Sequence, residues 1–336
     1  MNRKLITGVC LLAFLLSLML AGCGGSQKAT ADNNKKVIRL GYILAPGSDA
    51  DKGAQKFKEI VEKNSNGRLE VQTFPSSQLG SEFGMIESQQ MGSQEMQIAG
   101  DGPINAFEPR FGALTMPFAF RSIQHMINVY DGPIGEELNK AFIKDKNIHL
   151  LGVWVRGSRY LSANKEIKTP ADLQGYKMRV PSQNIYVETW KQLGATPVTL
   201  DLAELYSALQ QGLVGGQENP LDLINTSGYY QVQKYVMDTK HVYGPYLITM
   251  SESFYSSLPD DLKKVVNDAV KEAGAYERNI VETSEDQNKA ELEKKGVKFV
   301  TVDRQAFLEK MKGLPERLEK DLKWSPGQYQ QIIDTK

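Results

Sequence analysis

Three arginines set the chemistry this chain can do: Arg156, Arg159 and Arg179. Arg179 stands in Lys177-Met178-Arg179-Val180-Pro181, a run that reads as a strand ended by proline. Alternation along a strand turns Arg179 away from Met178 and Val180, and the proline puts its guanidinium at a strand end, where open α/β sheets bind ligands. There it offers a planar, two-pronged donor that matches a carboxylate. A surface ion pair suits the same pattern, and the residues alone leave both readings open. Arg156 and Arg159 follow the strand-like stretch Leu150 to Val155, in Arg156-Gly157-Ser158-Arg159.

Other chemistries lack their residues. There is no GxGxxG after a strand, no Walker A motif and no GxSxG, so dinucleotide, nucleotide and serine-hydrolase readings have no support. His125, His149 and His241 show no pairing at ligand spacing and read as helix-surface or domain-edge residues, so no metal is expected. No pair of acids is singled out by spacing for glycoside hydrolysis. The chain is expected to be no enzyme and to use no cofactor.

The elements that must position the arginines are those of an α/β protein. Strands are predicted at 37–43, 69–74, 96–99, 148–155, 178–180 and 246–250, and helices near 54–61 and at 121–145, 184–193, 202–212 and 219–234. From Pro259 to Lys295 an apolar helical period runs without proline and stops at Gly296. At 1.5 Å per residue this is a helix of about 50 Å, long enough to span two domains, or else two helices broken near Gly274.

Length and composition agree. The 336 residues are 41% hydrophobic and 24% charged, with 40 basic against 40 acidic side chains, an ordinary globular profile that fits two domains. A neutral balance argues against nucleic acid and for a small partner. Residues 1–22 carry Arg3 and Lys4, a short apolar block and small residues before Cys23, which is a secretory signal and too short to span a membrane. Leu20-Ala21-Gly22-Cys23 resembles the bacterial lipobox, which implies a lipid on Cys23 and anchorage at the extracytoplasmic face of the cell membrane. Cys10 goes with the signal, so no disulfide and no thiol catalysis are expected. Residues 23–36 read as a small, polar tether. Losing Arg3 and Lys4 leaves 38 basic against 40 acidic residues, a charge near −2.

The decisive runs lie between 177 and 220. Lys177-Met178-Arg179-Val180-Pro181, Leu193-Gly194-Ala195-Thr196-Pro197, Glu204-Leu205-Tyr206-Ser207-Ala208-Leu209-Gln210-Gln211-Gly212 and Gly216-Gln217-Glu218-Asn219-Pro220 resemble the signatures of DctP-type solute-binding proteins of TRAP (tripartite ATP-independent periplasmic) transporters. The resemblance extends over 37–310, through Phe74-Pro75-Ser76-Ser77-Gln78-Leu79-Gly80, Met116-Pro117-Phe118 and Leu258-Pro259. It implies a periplasmic-binding-protein-like α/β fold of two domains, 37–156 plus 245–284 and 157–244 plus 285–336, joined by hinge strands and a long domain-spanning helix. It implies a cleft in which Arg179 makes the salt bridge to the ligand carboxylate, with Arg159 as second cation and Arg156 beside it. Asn219 would hydrogen-bond the ligand, Glu218 would hold the loop or an arginine, and Asp101 would reach in after the strand ending at Gly100. Tyr42, Trp154, Tyr243 and Tyr246 are further candidates for the wall. The expected role is delivery of a small organic acid, a sugar acid such as an aldonate or uronate, to a TRAP permease, with a C4-dicarboxylate as the alternative and the protein acting as a monomer. Two positions depart from the family. Gly215 replaces an Asp, so a hydrogen bond is lost or rerouted, and Leu202 stands where some sialic-acid-binding members carry an aromatic, which argues against sialic acid.

Overall fold

The computed structural model describes residues 35–200 and 204–336; Cys23, the signal segment, the tether up to residue 34 and Leu202 lie outside the described residues. The described chain opens with β1 (Lys36–Tyr42), α1 (Asp49–Asn64), β2 (Leu69–Phe74), α2 (Glu82–Gln90), β3 (Met96–Ala99) and α3 (Gly102–Phe107). Ser48 caps α1 by accepting from the Asp51 N–H, and Ala54, Phe57 and Val61 put an apolar face on β1. Next come α4 (Ile123–Tyr130), α5 (Pro133–Lys146) and the long β4 (Ile148–Ala163). The single helix expected over 121–145 is therefore two. Gly132 is extended (ψ −169°) and Pro133 lacks an N–H, so the helix stops and restarts there.

The chain continues through β5 (Lys177–Val180), α6 (Asn184–Gln192), β6 (Thr196–Thr199), α7 (Leu205–Gln210), β7 (Gly216–Pro220), α8 (Leu221–Thr226) and β8 (Tyr235–Ser251). The helix expected over 219–234 is confined to α8 and one short 3-10 turn, because Gly228 adopts a left-handed φ of 71° between them. β8 begins eleven residues before the strand predicted from 246. The remainder is α9 (Glu252–Ser256), α10 (Asp260–Lys294), β9 (Lys298–Val300), α11 (Arg304–Met311), α12 (Leu314–Asp321) and α13 (Gln328–Asp334).

The strands form one mixed sheet in the order β2-β1-β3-β8-β4-β7-β5-β6, with β9 beside β8. β4 and β8 run antiparallel along nearly their whole length at its centre. Their register shifts between Val155 and Ser158, where Gly157 takes a φ of 84° that favours glycine.

α10 is a single helix of 35 residues, about 52 Å long, and it does not break at Gly274. That glycine is required by Trp154: a Cβ there would lie 2.6 Å from the indole Cδ1, and one on Gly53 of α1 would lie 2.8 Å from Cζ3. The indole N–H donates to the Val270 carbonyl at 2.9 Å, so Trp154 is a buried clamp between α1 and α10. One helical turn on, Glu277 is fully buried; its Oε2 accepts the Val155 N–H at 3.1 Å and its Oε1 has no partner. A cavity of about 50 Å³ adjoins it, lined also by Asp49, Arg156, Ser158 and Asp222. Among the described residues no helix is long and apolar enough to cross a membrane, and no group of three His, Cys, Asp or Glu is placed to hold a metal ion.

Candidate functional site

Arg179 lies on β5, paired in parallel with β6, and is only 5% exposed. Its Nε and Nη2 both donate to the Leu200 carbonyl, at 2.9 and 2.8 Å, which fixes the plane of the guanidinium. Arg159 lies on β4, with β7 between it and β5, roughly 10 Å across the sheet at the usual strand spacing.

Arg159 is held more tightly still. Antiparallel pairing sets it opposite Pro220, which brings Glu218 diagonally onto the same face. Its Nε bonds Glu218 Oε2, and its Nη2 donates to Glu218 Oε1 at 2.8 Å, to the Glu218 carbonyl at 2.7 Å and to Asn219 Oδ1 at 3.0 Å. Asn219 in turn donates to Gln217 at 2.5 Å, and Gln217 to Ser162 at 2.7 Å. Behind Glu218 stands His241, whose Nε2 lies 3.0 Å from Oε2 and whose Nδ1 lies 2.8 Å from Thr239 Oγ1. Burial works against a charge on Glu218. The attraction and hydrogen bonds of Arg159, joined by His241, outweigh it and hold the carboxyl at about 2. Burial lowers the His241 pKa, so the ring is the neutral Nε2–H form that donates to Glu218 and accepts from Thr239.

Asp101 sits at the start of α3, 5% exposed, its pKa raised by burial against the pull of Arg156 and Arg159. Arg156 comes from the irregular stretch of β4; the residue is exposed as a whole, and its guanidinium is 5.8 Å from the centre of the Tyr246 ring. The protein packed around it opposes its charge, and so does Arg159, while Tyr246, Asp101 and Glu82 favour it and raise its pKa.

The structure thus brings Arg156, Arg159, Asp101, Glu218, Asn219 and Tyr246 into one neighbourhood, with Arg179 on the strand beyond β7. It places three expected wall residues elsewhere. Trp154 is in the core. Tyr42 is buried with its hydroxyl on Asp51 at 2.5 Å. Tyr243 is surrounded by Lys240, Arg304, Glu285 and Asp238. The histidines also depart from the surface positions read for them: His125 and His241 are buried, and only His149, bonded to Glu252 at 2.7 Å, is partly exposed. Sequence reasoning missed three members of the neighbourhood. Tyr186 lies under the Arg159 guanidinium at 5.8 Å, Glu82 accepts the Gly100 N–H at 2.5 Å, and His241 backs Glu218. No motif marks them, although Tyr186 stands in the first turn of α6, the helix that follows the Arg179 strand.

The Gly215 departure has a physical answer. A Cβ at 215 would lie 2.7 Å from the Tyr176 ring, so the tyrosine fills the place of any side chain, and its hydroxyl donates to Asn164 at 2.7 Å.

Residues 40–321 match the family described as bacterial extracellular solute-binding protein, family 7, or DctP. The chain belongs to this family. A solute-binding protein of Roseobacter denitrificans is 36% identical over 80% of this chain and 83% of its own. The DctP fold is also matched by its crystal structure with bound L-galactonate, at 32% identity and a TM-score of 0.73 over 86% of this chain and 98% of that one. A Haemophilus influenzae TRAP solute-binding protein with bound L-gulonate matches at 28% identity and 0.79, over 90% of this chain and all (100%) of its own. An apo, open one from Escherichia fergusonii matches at 25% identity and 0.84, over 90% and 100%. The chain is a TRAP-type, DctP-family solute-binding protein of mixed α/β fold.

Proposed function

We propose that this protein captures a small sugar acid, an aldonate or uronate, in a cleft whose cations are Arg179 and Arg159, and hands it unchanged to a TRAP permease. The observation that carries the reading is the state of Arg159. Its Nε and Nη2 are committed to Glu218 and Asn219, and no described residue takes the Nη1 edge. A guanidinium locked along one edge presents the other to an anion, and a ligand carboxylate shared with Arg179 gains charge-assisted bonds as water leaves the cleft. The second Asn219 amide hydrogen and the Tyr246 hydroxyl suit ligand hydroxyls. Relatives that hold L-galactonate and L-gulonate support the ligand class.

The described conformation is read as the open one. Its match to the apo, open neighbour, 0.84, exceeds those to the two sugar-acid complexes, 0.73 and 0.79, although its sequence identity to that neighbour is lowest. Closure would turn 37–156 plus 245–284 against 157–244 plus 285–336, hinged where β4 and β8 change register at Val155 and Ser158. The protein acts as a monomer held by a lipid on Cys23.

Thermal-shift titration with L-galactonate, D-galacturonate, malate and succinate tests this. Sugar acids should raise the melting temperature of the wild type, and Arg179→Ala should abolish the rise while leaving the apo transition in place. A response to the C4-dicarboxylates alone would replace the sugar-acid reading with the dicarboxylate one.

A further inference from the structure

Gly100 lies between β3 and α3, directly before Asp101. A Cβ built on it would fall 3.2 Å from Arg156 Nη1 and 3.2 Å from Glu82 Oε1. The two charged atoms therefore flank one point and stand no more than 6.4 Å apart, twice 3.2 Å. Among the described residues they nevertheless form no ion pair, so they are separated by more than 4.0 Å. A single oxygen bonded to both at about 2.8 Å spans up to about 5.6 Å, which lies inside that window. Glu82 is anchored on two sides. It is the first residue of α2, its Oε1 takes the Gly100 N–H at 2.5 Å, and its own carbonyl accepts from Gln97 at 3.0 Å. Arg156 is fixed from behind by the Tyr246 ring.

From this geometry we infer that Glu82 and Arg156 form a hydroxyl-reading slot that selects hydroxy acids against dicarboxylates. The inference rests on the sugar-acid reading above and adds the residues that make it selective. An oxygen in the slot has to accept from a guanidinium and donate to a carboxylate, and a ligand hydroxyl does both. An ionised carboxylate oxygen has no proton to donate, and it would face Glu82 and Asp101 as a third negative group. The slot exists because residue 100 is glycine; any side chain there would occupy it.

The test measures dissociation constants for L-galactonate and succinate by calorimetry on the wild type, Glu82→Ala and Gly100→Ala, each first checked for the wild-type circular dichroism spectrum. Gly100→Ala keeps both charged groups and fills the gap with a methyl, and Gly100 is not in the left-handed region, so its backbone accepts alanine. Both variants should lower the preference for L-galactonate over succinate at least about tenfold, Glu82→Ala in part by improving succinate. An unchanged preference in either folded variant overturns the slot while leaving the sugar-acid reading standing. A wild type that binds no sugar acid overturns both. Loss of L-galactonate and succinate binding to the same extent would show that Glu82 only shapes the cleft, and would also overturn the proposal.

Discussion

Replacing Glu277 by glutamine should stabilise this protein, and by an amount that depends on pH. The carboxyl is fully buried on α10, its Oε1 has no partner, and burial, with Asp49 adding repulsion, pushes its pKa from 4.5 to about 8. The Val155 N–H and Arg278 pull the other way and do not compensate. Tyr246 on β8 is itself raised and stays neutral, and Arg156, Asp222 and Glu285 line the adjoining cavity. The folded state thus holds a proton that the unfolded chain releases above pH 4.5. Stability is unaffected below that value, falls as pH rises from 4.5 to about 8, and levels off beyond. At about 1.4 kcal/mol per pH unit, the cost is under about 1 kcal/mol at pH 5 and about 3 kcal/mol at pH 7. Glutamine keeps an acceptor for Val155 and has no charge to suppress. Urea unfolding of wild type and Glu277→Gln at pH 5 and pH 7 should show the variant gaining about 2.5 kcal/mol on the wild type between the two. Parallel stability curves would refute the reasoning, since they would mean that the carboxylate is ionised and solvated in the folded protein.

Glu218 carries the opposite sign. Its carboxyl is held at about 2 against 4.5, so its contribution is present above pH 4.5 and is lost as pH falls towards 2, about 3 kcal/mol in all. Glu218→Gln would leave the Arg159 charge buried without its counter-ion and should cost about 3 kcal/mol at pH 7, measured by urea unfolding; a loss under about 1 kcal/mol would mean that water replaces the pair. Cys23→Ser should release the protein from the membrane fraction into the soluble one, as read by fractionation and immunoblotting, and continued sedimentation with membranes would exclude the lipid anchor.

Much of this was legible in the sequence where local pattern and tertiary demand agree. Met178-Arg179-Val180 is a strand because its apolar residues are buried and its proline ends it, and α10 keeps its period over 35 residues with a proline before and a glycine after. Legibility failed where tertiary contacts override composition. Residues 235–245 contain Asp238, Lys240 and Pro245 and do not look like a strand, yet they pair with β4 and close the centre of the sheet. Gly274 reads as a helix breaker and is a seat for Trp154. At the site, Arg179 was visible in a family run and Arg159 through the loop position the resemblance implies, whereas Glu82 and His241 reach it from other strands and helices with no local mark. Trp154 and Tyr42 were the reverse case: aromatics expected to wall the cleft that the fold takes into its core.

The fastening of Arg159 before any ligand arrives bears on the heat and speed of capture. Immobilising a long guanidinium side chain costs on the order of 2 kcal/mol of rotamer entropy, and here folding has already borne that cost through Glu218, Asn219 and His241. A small metabolite has few contacts with which to order a receptor. Meeting a rigid anvil, it can commit nearly all of them to affinity, so calorimetry should register the rearrangement of backbone segments and water, with little contribution from the side chain proposed to grip the acid.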